Sequence, residues 1–187
     1  GRQAFKKVVE SHPDLDVVCI NDLTDTKTLA HLLKYDSNYG IFNREISFTK
    51  DSILIDDKEY KVLAEKEPEK LPWKKLRIDI VLECTGIFID SVSAKKHIKA
   101  GAKKVIISAP SKDPSAGSGQ EKRLPGFILG VNNDKYDPKK VDVMDMGSCT
   151  TNCLAVMVKV LNDNFKIKKG FMTTVHSYTN DQRILDL

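Results

Sequence analysis

The chain has 187 residues, a formal net charge of +4, 41% hydrophobic and 30% charged residues, a composition that allows one full core or one domain and part of another. It holds no apolar run of eighteen residues, so no helical membrane span is predicted, and its lysines form no basic stripe interleaved with aromatics, which argues against a nucleic-acid partner. Four cysteines, at 19, 84, 149 and 153, follow neither a disulfide framework nor paired metal-ligand spacing, so a reducing, cytoplasmic setting is expected and no metal site is predicted.

The first twelve residues pattern as a helix with Phe5, Val8 and Val9 on one face, closed at His12-Pro13 because a residue before proline avoids the α region. Asp16 to Asn21 is an apolar run between polar ends, the pattern of a strand buried on both faces, with Asp22 at its end. Thr26 to Lys34 is a second helix with Leu29, Leu32 and Leu33 as its stripe, and 35–40 is a loop. From 44 to 63 the period changes to two: Ile46 and Phe48, Ile53 and Ile55, Tyr60 and Val62 alternate with polar residues around an Asp56-Asp57 turn, which predicts two or three antiparallel strands.

Residues 78–84 read as a strand ending at Thr85-Gly86, 91–100 as a helix stopped by Gly101, and 105–108 as a strand ending at Ala109-Pro110. Residues 112–126 are a low-complexity surface loop, and 127–131 and 141–144 are further strands. Leu154, Met157, Val158, Leu161 and Phe165 then recur on one helix face, which Cys153, Val156 and Val160 widen, so burial on most sides is expected. Residues 171–176 are a last strand. This alternation argues for an α/β fold on a parallel sheet, in which ligands gather beyond the carboxyl ends of strands, where Asp22, Thr85 and Ser108 stand.

Cys149 falls at the start of the long helix, where free N–H groups and the helix dipole favour a thiolate nucleophile. The competing reading is a buried structural cysteine, and Cys149 with Cys153 as a redox pair is a third. His176, at a strand end, is a candidate base if the fold brings it to the sulfur; His12, His31 and His97 have weaker claims. Asp22 is a candidate ribose-binding acid, a turn aspartate or part of a helix cap, while Thr85, Ser108 and Lys66 by themselves read as turn or surface residues.

Gly147-Ser148-Cys149-Thr150-Thr151-Asn152-Cys153 and His176-Ser177-Tyr178-Thr179-Asn180-Asp181-Gln182 resemble the two active-site signatures of the glyceraldehyde-3-phosphate dehydrogenase family, of bacterial, phosphorylating type. Asn21-Asp22-Leu23-Thr24-Asp25, Leu71-Pro72-Trp73 and Lys103 to Pro110 are similar to it as well. The resemblance implies a Rossmann-like parallel sheet with a small antiparallel excursion at 1–148, its first strand and Gly-rich loop missing, and the start of an α+β catalytic domain at 149–187. It implies NAD as cofactor, glyceraldehyde 3-phosphate and inorganic phosphate as reactants, and a homotetramer at full length. Cys149 would attack the aldehyde and His176 would take a proton; Ser148, Thr150 and Thr179 would contact phosphate; Asp22, Lys66, Thr85 and Ser108 would contact the cofactor. Leu23 beside Asp22 resembles the NAD-preferring pattern. Three departures stand out: Met146-Gly147 where Asn-Ala is common, Lys66 where an arginine is usual, and a longer 112–126 loop. A fragment, inactive alone, is the expectation. An erythrose-4-phosphate dehydrogenase and a non-catalytic NAD-binding or redox-thiol module are the alternatives.

Overall fold

The computed structural model describes residues 1–112 and 124–179; most of the predicted 112–126 loop and all of 180–187 lie outside the described residues. The first helix, α1 (Arg2–Ser11), forms where the apolar spacing places it and ends at His12. Its Phe5 meets the Tyr60 ring edge-on at 4.9 Å.

β1 (Cys19–Asn21), α2 (Thr26–Lys34), β2 (Tyr35–Asp36), β3 (Gly40–Ile41), β4 (Ile46–Phe48), β5 (Ser52–Ile55) and β6 (Lys58–Leu63) follow. Strand order in the main sheet is β1-β6-β5-β4, with β1 parallel to β6 and the other pairs antiparallel. The predicted excursion is therefore present as three strands, but it does not stand apart: β6 joins it directly to β1. Period-two patterning explains the packing. Tyr60 and Val62 point into a cluster with Leu33, Phe42, Ile53 and Ile55, while Glu59 and Lys61 stay exposed. α2 begins at Asp25, whose side chain accepts from the Thr28 amide at 2.9 Å, so Asp25 rather than Asp22 is the cap.

Two expectations for this half are corrected. The strand expected over 16–21 is only three residues long and half-buried, with Cys19 and Ile20 packing partly on two different clusters. The 35–40 loop contains a short antiparallel pair, β2 with β3, turned by Gly40 at φ +75°.

A 3-10 turn at Pro68–Lys70 and α3 (Trp73–Leu76) lead into β7 (Ile80–Glu83), α4 (Ser91–Lys99), β8 (Lys104–Ile107), a second 3-10 turn at Asn133–Lys135, β9 (Val143–Asp145) and α5 (Cys149–Phe165). β7, β8 and β9 form a wholly parallel sheet. One face packs on α4, where Ala94, Val105 and Ile107 are 0% exposed; each buried Val or Ile contributes roughly 1.5–3 kcal/mol. A capping box starts α4: Asp90 accepts from the amides of Val92 and Ser93 at 2.9 Å. β1 and β7 are not hydrogen-bonded to each other, but Cys19 and Val81 pack on one cluster around Trp73, Ile78 and Ala102.

Three further expectations are corrected. Residues 127–131 are not a strand: a single bridge joins Gly126 to Asp145, and Gly130 at φ +76° then turns the chain. Residues 171–176 form no strand, for no described segment pairs with them; Phe171 and Val175 are fully exposed. α5 has its predicted length, yet none of its residues is buried. No described element packs extensively along its apolar face, so Val160, Leu161 and Phe165 stay exposed. Among the described residues no helix is long and apolar enough to cross a membrane.

Candidate active site

α5 begins as its sequence dictates. Ser148, in extended backbone, is the N-cap and accepts from the Thr151 amide at 2.9 Å. Cys149 is the first helical residue and is exposed, which removes the reading of a buried structural thiol. Its Sγ lies 3.2 Å from Nε2 of His176. The other ring nitrogen, Nδ1, donates to the Ser177 carbonyl at 2.5 Å, which turns Nε2 toward the sulfur.

The hydrogen bond from His176 holds the Cys149 thiol below the ordinary thiol range, with help from the amide and hydroxyl of Thr150. His176 is pushed up, first by the Ser177 carbonyl and then by the thiol. Both shifts favour a thiolate–imidazolium pair. Cys153, one turn along α5, is a free, exposed thiol and forms no disulfide with Cys149.

The turn before Cys149 is braced from two sides. Asp145, at the end of β9, accepts from the Gly147 amide at 2.8 Å and from the Ser111 amide at 3.0 Å. Asn152 reaches back from α5 to the carbonyls of Met146 and Ser148, at 2.7 and 2.9 Å. Gly147 is favoured by its backbone, with φ +68°; a Cβ there would also press on the end of the Ile128 side chain, 2.8 Å from Cδ1. Sequence reasoning missed both bracing residues. The one available signal for Asp145 was an aspartate two residues before a glycine, a side-chain turn spacing.

A cavity of about 390 Å³ opens on the face of the parallel sheet opposite α4. Leu82 and Cys84, then Ile106 and Ser108, line it at period two, and Cys149 and Gly1 close it. Of the predicted residues, then, Ser108 shares a cavity with Cys149, and His176 reaches the sulfur directly. Thr150 is half-buried beside Cys149; Thr179 is exposed beyond His176.

Thr85, Asp22 and Lys66 do not line that cavity. Thr85 is exposed just beyond β7, where its amide donates to Glu83 at 2.7 Å and its hydroxyl donates to the same oxygen. Asp22 follows β1 and accepts from the Thr24 amide at 2.9 Å. Lys66 is exposed after β6. Asn21 holds that region together, donating to the Glu65 carbonyl at 2.9 Å and accepting from the Glu65 amide at 3.0 Å, and so sets residues 65–66 beside the end of β1. Residue reading alone assigned no such role to Asn21. Among the described residues no three His, Cys, Asp or Glu side chains converge as a metal cluster.

Two family profiles match the chain: "Glyceraldehyde 3-phosphate dehydrogenase, NAD binding domain" over residues 1–91, and the C-terminal domain of the same family over residues 148–187. The chain is 52% identical over 186 residues to a glyceraldehyde-3-phosphate dehydrogenase of Streptomyces coelicolor, covering 100% of this chain and 53% of the relative. It is 51% identical over 187 residues to that of Geobacillus stearothermophilus, with 100% and 53% covered, and 54% identical over 186 residues to that of Clostridium pasteurianum, with 100% and 52% covered. The chain spans about half the length of the curated relatives it matches. With both profiles on one chain and half of all residues shared with these enzymes, the chain belongs to the glyceraldehyde-3-phosphate dehydrogenase family.

Proposed function

We propose that the chain carries the nucleotide-binding part and the reactive thiol of an NAD-dependent, phosphorylating dehydrogenase of glyceraldehyde 3-phosphate in glycolysis. The observation that carries this is the Cys149 Sγ to His176 Nε2 distance of 3.2 Å at the start of α5. The residues present fit the cofactor. The cavity beside Cys149 is mostly apolar and lies on the parallel sheet, and α1 reaches it with a first turn that no side chain caps. Asp22 would hold ribose hydroxyls, Lys66 would stand near the adenine, and Thr85 and Ser108 would line the cleft. When bound, NAD supplies the hydride acceptor.

The chain's own residues account for the remaining chemistry. The Cys149 thiolate attacks the aldehyde carbon while the His176 imidazolium gives its Nε2 proton to the carbonyl oxygen, and a thiohemiacetal forms. As hydride leaves that carbon, Nε2 of His176 accepts the hydroxyl proton, and a thioester on Cys149 results. Inorganic phosphate then displaces the thiolate to give the acyl phosphate. Ser148 and Thr150 would hold the incoming phosphate and Thr179 the phosphate of the substrate. Thr151 pairs with the Ser148 hydroxyl at 2.8 Å, and with Thr151 as donor the Ser148 proton stays free for an anion.

The same reading places the protein in a reducing cytoplasm, as a homotetramer at the full length of its relatives, with 1–148 and 149–187 as its two domain portions. The 187 residues by themselves are expected to form no NADH. The alternatives, an erythrose-4-phosphate dehydrogenase and a purely binding module, are not favoured by relatives at this identity. Iodoacetamide labelling tests the reading: Cys149 should react faster than Cys19, Cys84 and Cys153, and His176→Asn should slow it selectively. Equal rates at all four thiols would overturn it. In an enzyme containing this chain, NADH formation should require inorganic phosphate.

A further inference from the structure

We infer that Asp145 is a positioning residue for the Cys149 thiol, holding the turn that aims the start of α5. The inference rests on Cys149 being the nucleophile. Asp145 is 8% exposed. Such a carboxylate is tolerable only when its oxygens are satisfied, and here they are. Oδ2 accepts from the amide and the hydroxyl of Ser111, in the loop after β8, and Oδ1 accepts from the Gly147 amide. The backbone of Asp145 adds two bonds, from its amide to the Pro125 carbonyl at 3.1 Å and from the Phe127 amide to its own carbonyl at 3.0 Å. Space is reserved for the carboxylate as well: a Cβ on Gly126 would lie 2.9 Å from Oδ1.

The need for this brace follows from α5 itself. None of its residues is buried, so side-chain packing does not fix the direction of the helix. Cys149 points where the 146–148 turn sends it, and that turn runs through Gly147 at φ +68°. Asp145 is paired to β8, whose Val105 and Ile107 are 0% exposed. Its Oδ1 thus carries the frame of the rigid sheet to the peptide two residues before the sulfur. Charge-assisted hydrogen bonds of this kind are stronger than neutral ones, and a nucleophile displaced by about 1 Å loses much of its rate.

The test uses the 187-residue chain with Asp145→Ala, Asp145→Asn and Ser111→Ala. Two readouts are taken: amide hydrogen exchange at Gly147 and Thr151, with Val105 as the core reference, and Cys149 alkylation across pH, with Cys153 as the internal reference. Asp145→Ala should speed exchange at Gly147 about tenfold, slow Cys149 alkylation about tenfold and move its pH profile upward, with Val105 protection unchanged. Asp145→Asn keeps an acceptor for Gly147 and should restore the exchange and most of the rate; that rescue excludes a purely electrostatic effect of the lost charge. If Asp145→Ala does not fold, Ser111→Ala decides: slower Cys149 alkylation supports the brace, and an unchanged rate overturns it. Unchanged Gly147 exchange and unchanged Cys149 alkylation in a folded Asp145→Ala also overturn the inference. If Cys149 in the parent chain reacts no faster than Cys153, the nucleophile reading fails, and Gly147 exchange still decides whether Asp145 holds the turn.

Discussion

The indole Nε1 of Trp73 donates to Nδ1 of His97 at 3.0 Å inside the core. An indole N–H can only donate, so Nδ1 carries the lone pair and the ring proton sits on Nε2, which meets Glu83 at 2.9 Å. The donors therefore run from Trp73 through His97 to Glu83, whose carboxylate also accepts from Thr85 in the strand-end turn after β7. His97→Ala would orphan the indole N–H and leave Oε2 of the buried Glu83 without its donor, with only the Thr85 bonds to Oε1 remaining. A loss of about 3–5 kcal/mol is expected, the sum of an orphaned buried N–H and a lost hydrogen bond to a charged group. Urea denaturation followed by the fluorescence of Trp73, the one tryptophan of the chain, measures it. His97→Gln can keep both contacts and should lose clearly less.

Glu83 gives this network an acid limit. Burial pushes its carboxyl up, but the hydrogen bonds from His97 and Thr85 outweigh burial and hold it below the ordinary glutamate value of 4.5. Its folded value is thus lower than its unfolded value. The stability it contributes is fully present above the unfolded value and is lost as pH falls through the folded one. Between neutral pH and pH 5 the urea midpoint should change little on account of Glu83; below pH 4.5 it should fall more steeply in the parent than in Glu83→Gln. Equal acid slopes in the two proteins would remove Glu83 from the acid transition.

Cys149 and His176 shift in opposite senses, the thiol downward and the imidazole upward. Each shift moves the pair toward the thiolate–imidazolium form. The pH profile of Cys149 alkylation should therefore lie below that of an ordinary thiol, with the rate falling as the sulfur is protonated. His176→Asn removes the leading cause of the lowered thiol value, so the same rate should be reached only at higher pH. The rate at pH 7 should drop several-fold, measured by mass spectrometry of each thiol.

Gly101 ends α4 at φ +109°, and a Cβ on it would lie 2.5 Å from Lys74 Cβ and 2.7 Å from Lys74 Cα. The approach is that close because the Lys74 amide donates to the neighbouring Ala100 carbonyl at 3.0 Å. Gly101→Ala combines backbone strain with a clash against main chain, and should destabilise by about 2–4 kcal/mol. A urea midpoint within error of the parent would show that α3 shifts to make room.

Local chemistry made much of this molecule legible in its residues. Period-two alternation at Tyr60 and Val62, and helical spacing at Leu29 and Leu33, named buried faces correctly, whereas Leu32, read onto the same stripe, is exposed. A polar Ser148 ahead of an apolar run placed Cys149 at a helix start. What failed depended on neighbours. Val156 to Phe165 read as core because pattern reports what a face can bury, not whether anything lies on it. Residues 171–176 have strand composition without a described strand to pair with. The approach of His176 to Cys149 spans 27 residues with no regular structure after α5; residue chemistry named the two as candidates, and the resemblance of their motifs to a family joined them. Asn21 at Glu65, and Asp145 at Ser111, bind backbone groups of distant segments, which no local pattern encodes.

α5 is 17 residues long and fixed at one end. At 1.5 Å per residue, Phe165 lies about 24 Å from Cys149, so a swing of about 10° about the first turn carries the far end by about 4 Å. The sulfur sits at the pivot of this lever and scarcely moves. Whatever comes to lie on the apolar face can settle the far end by ångströms while leaving the distance from thiol to imidazole as it is.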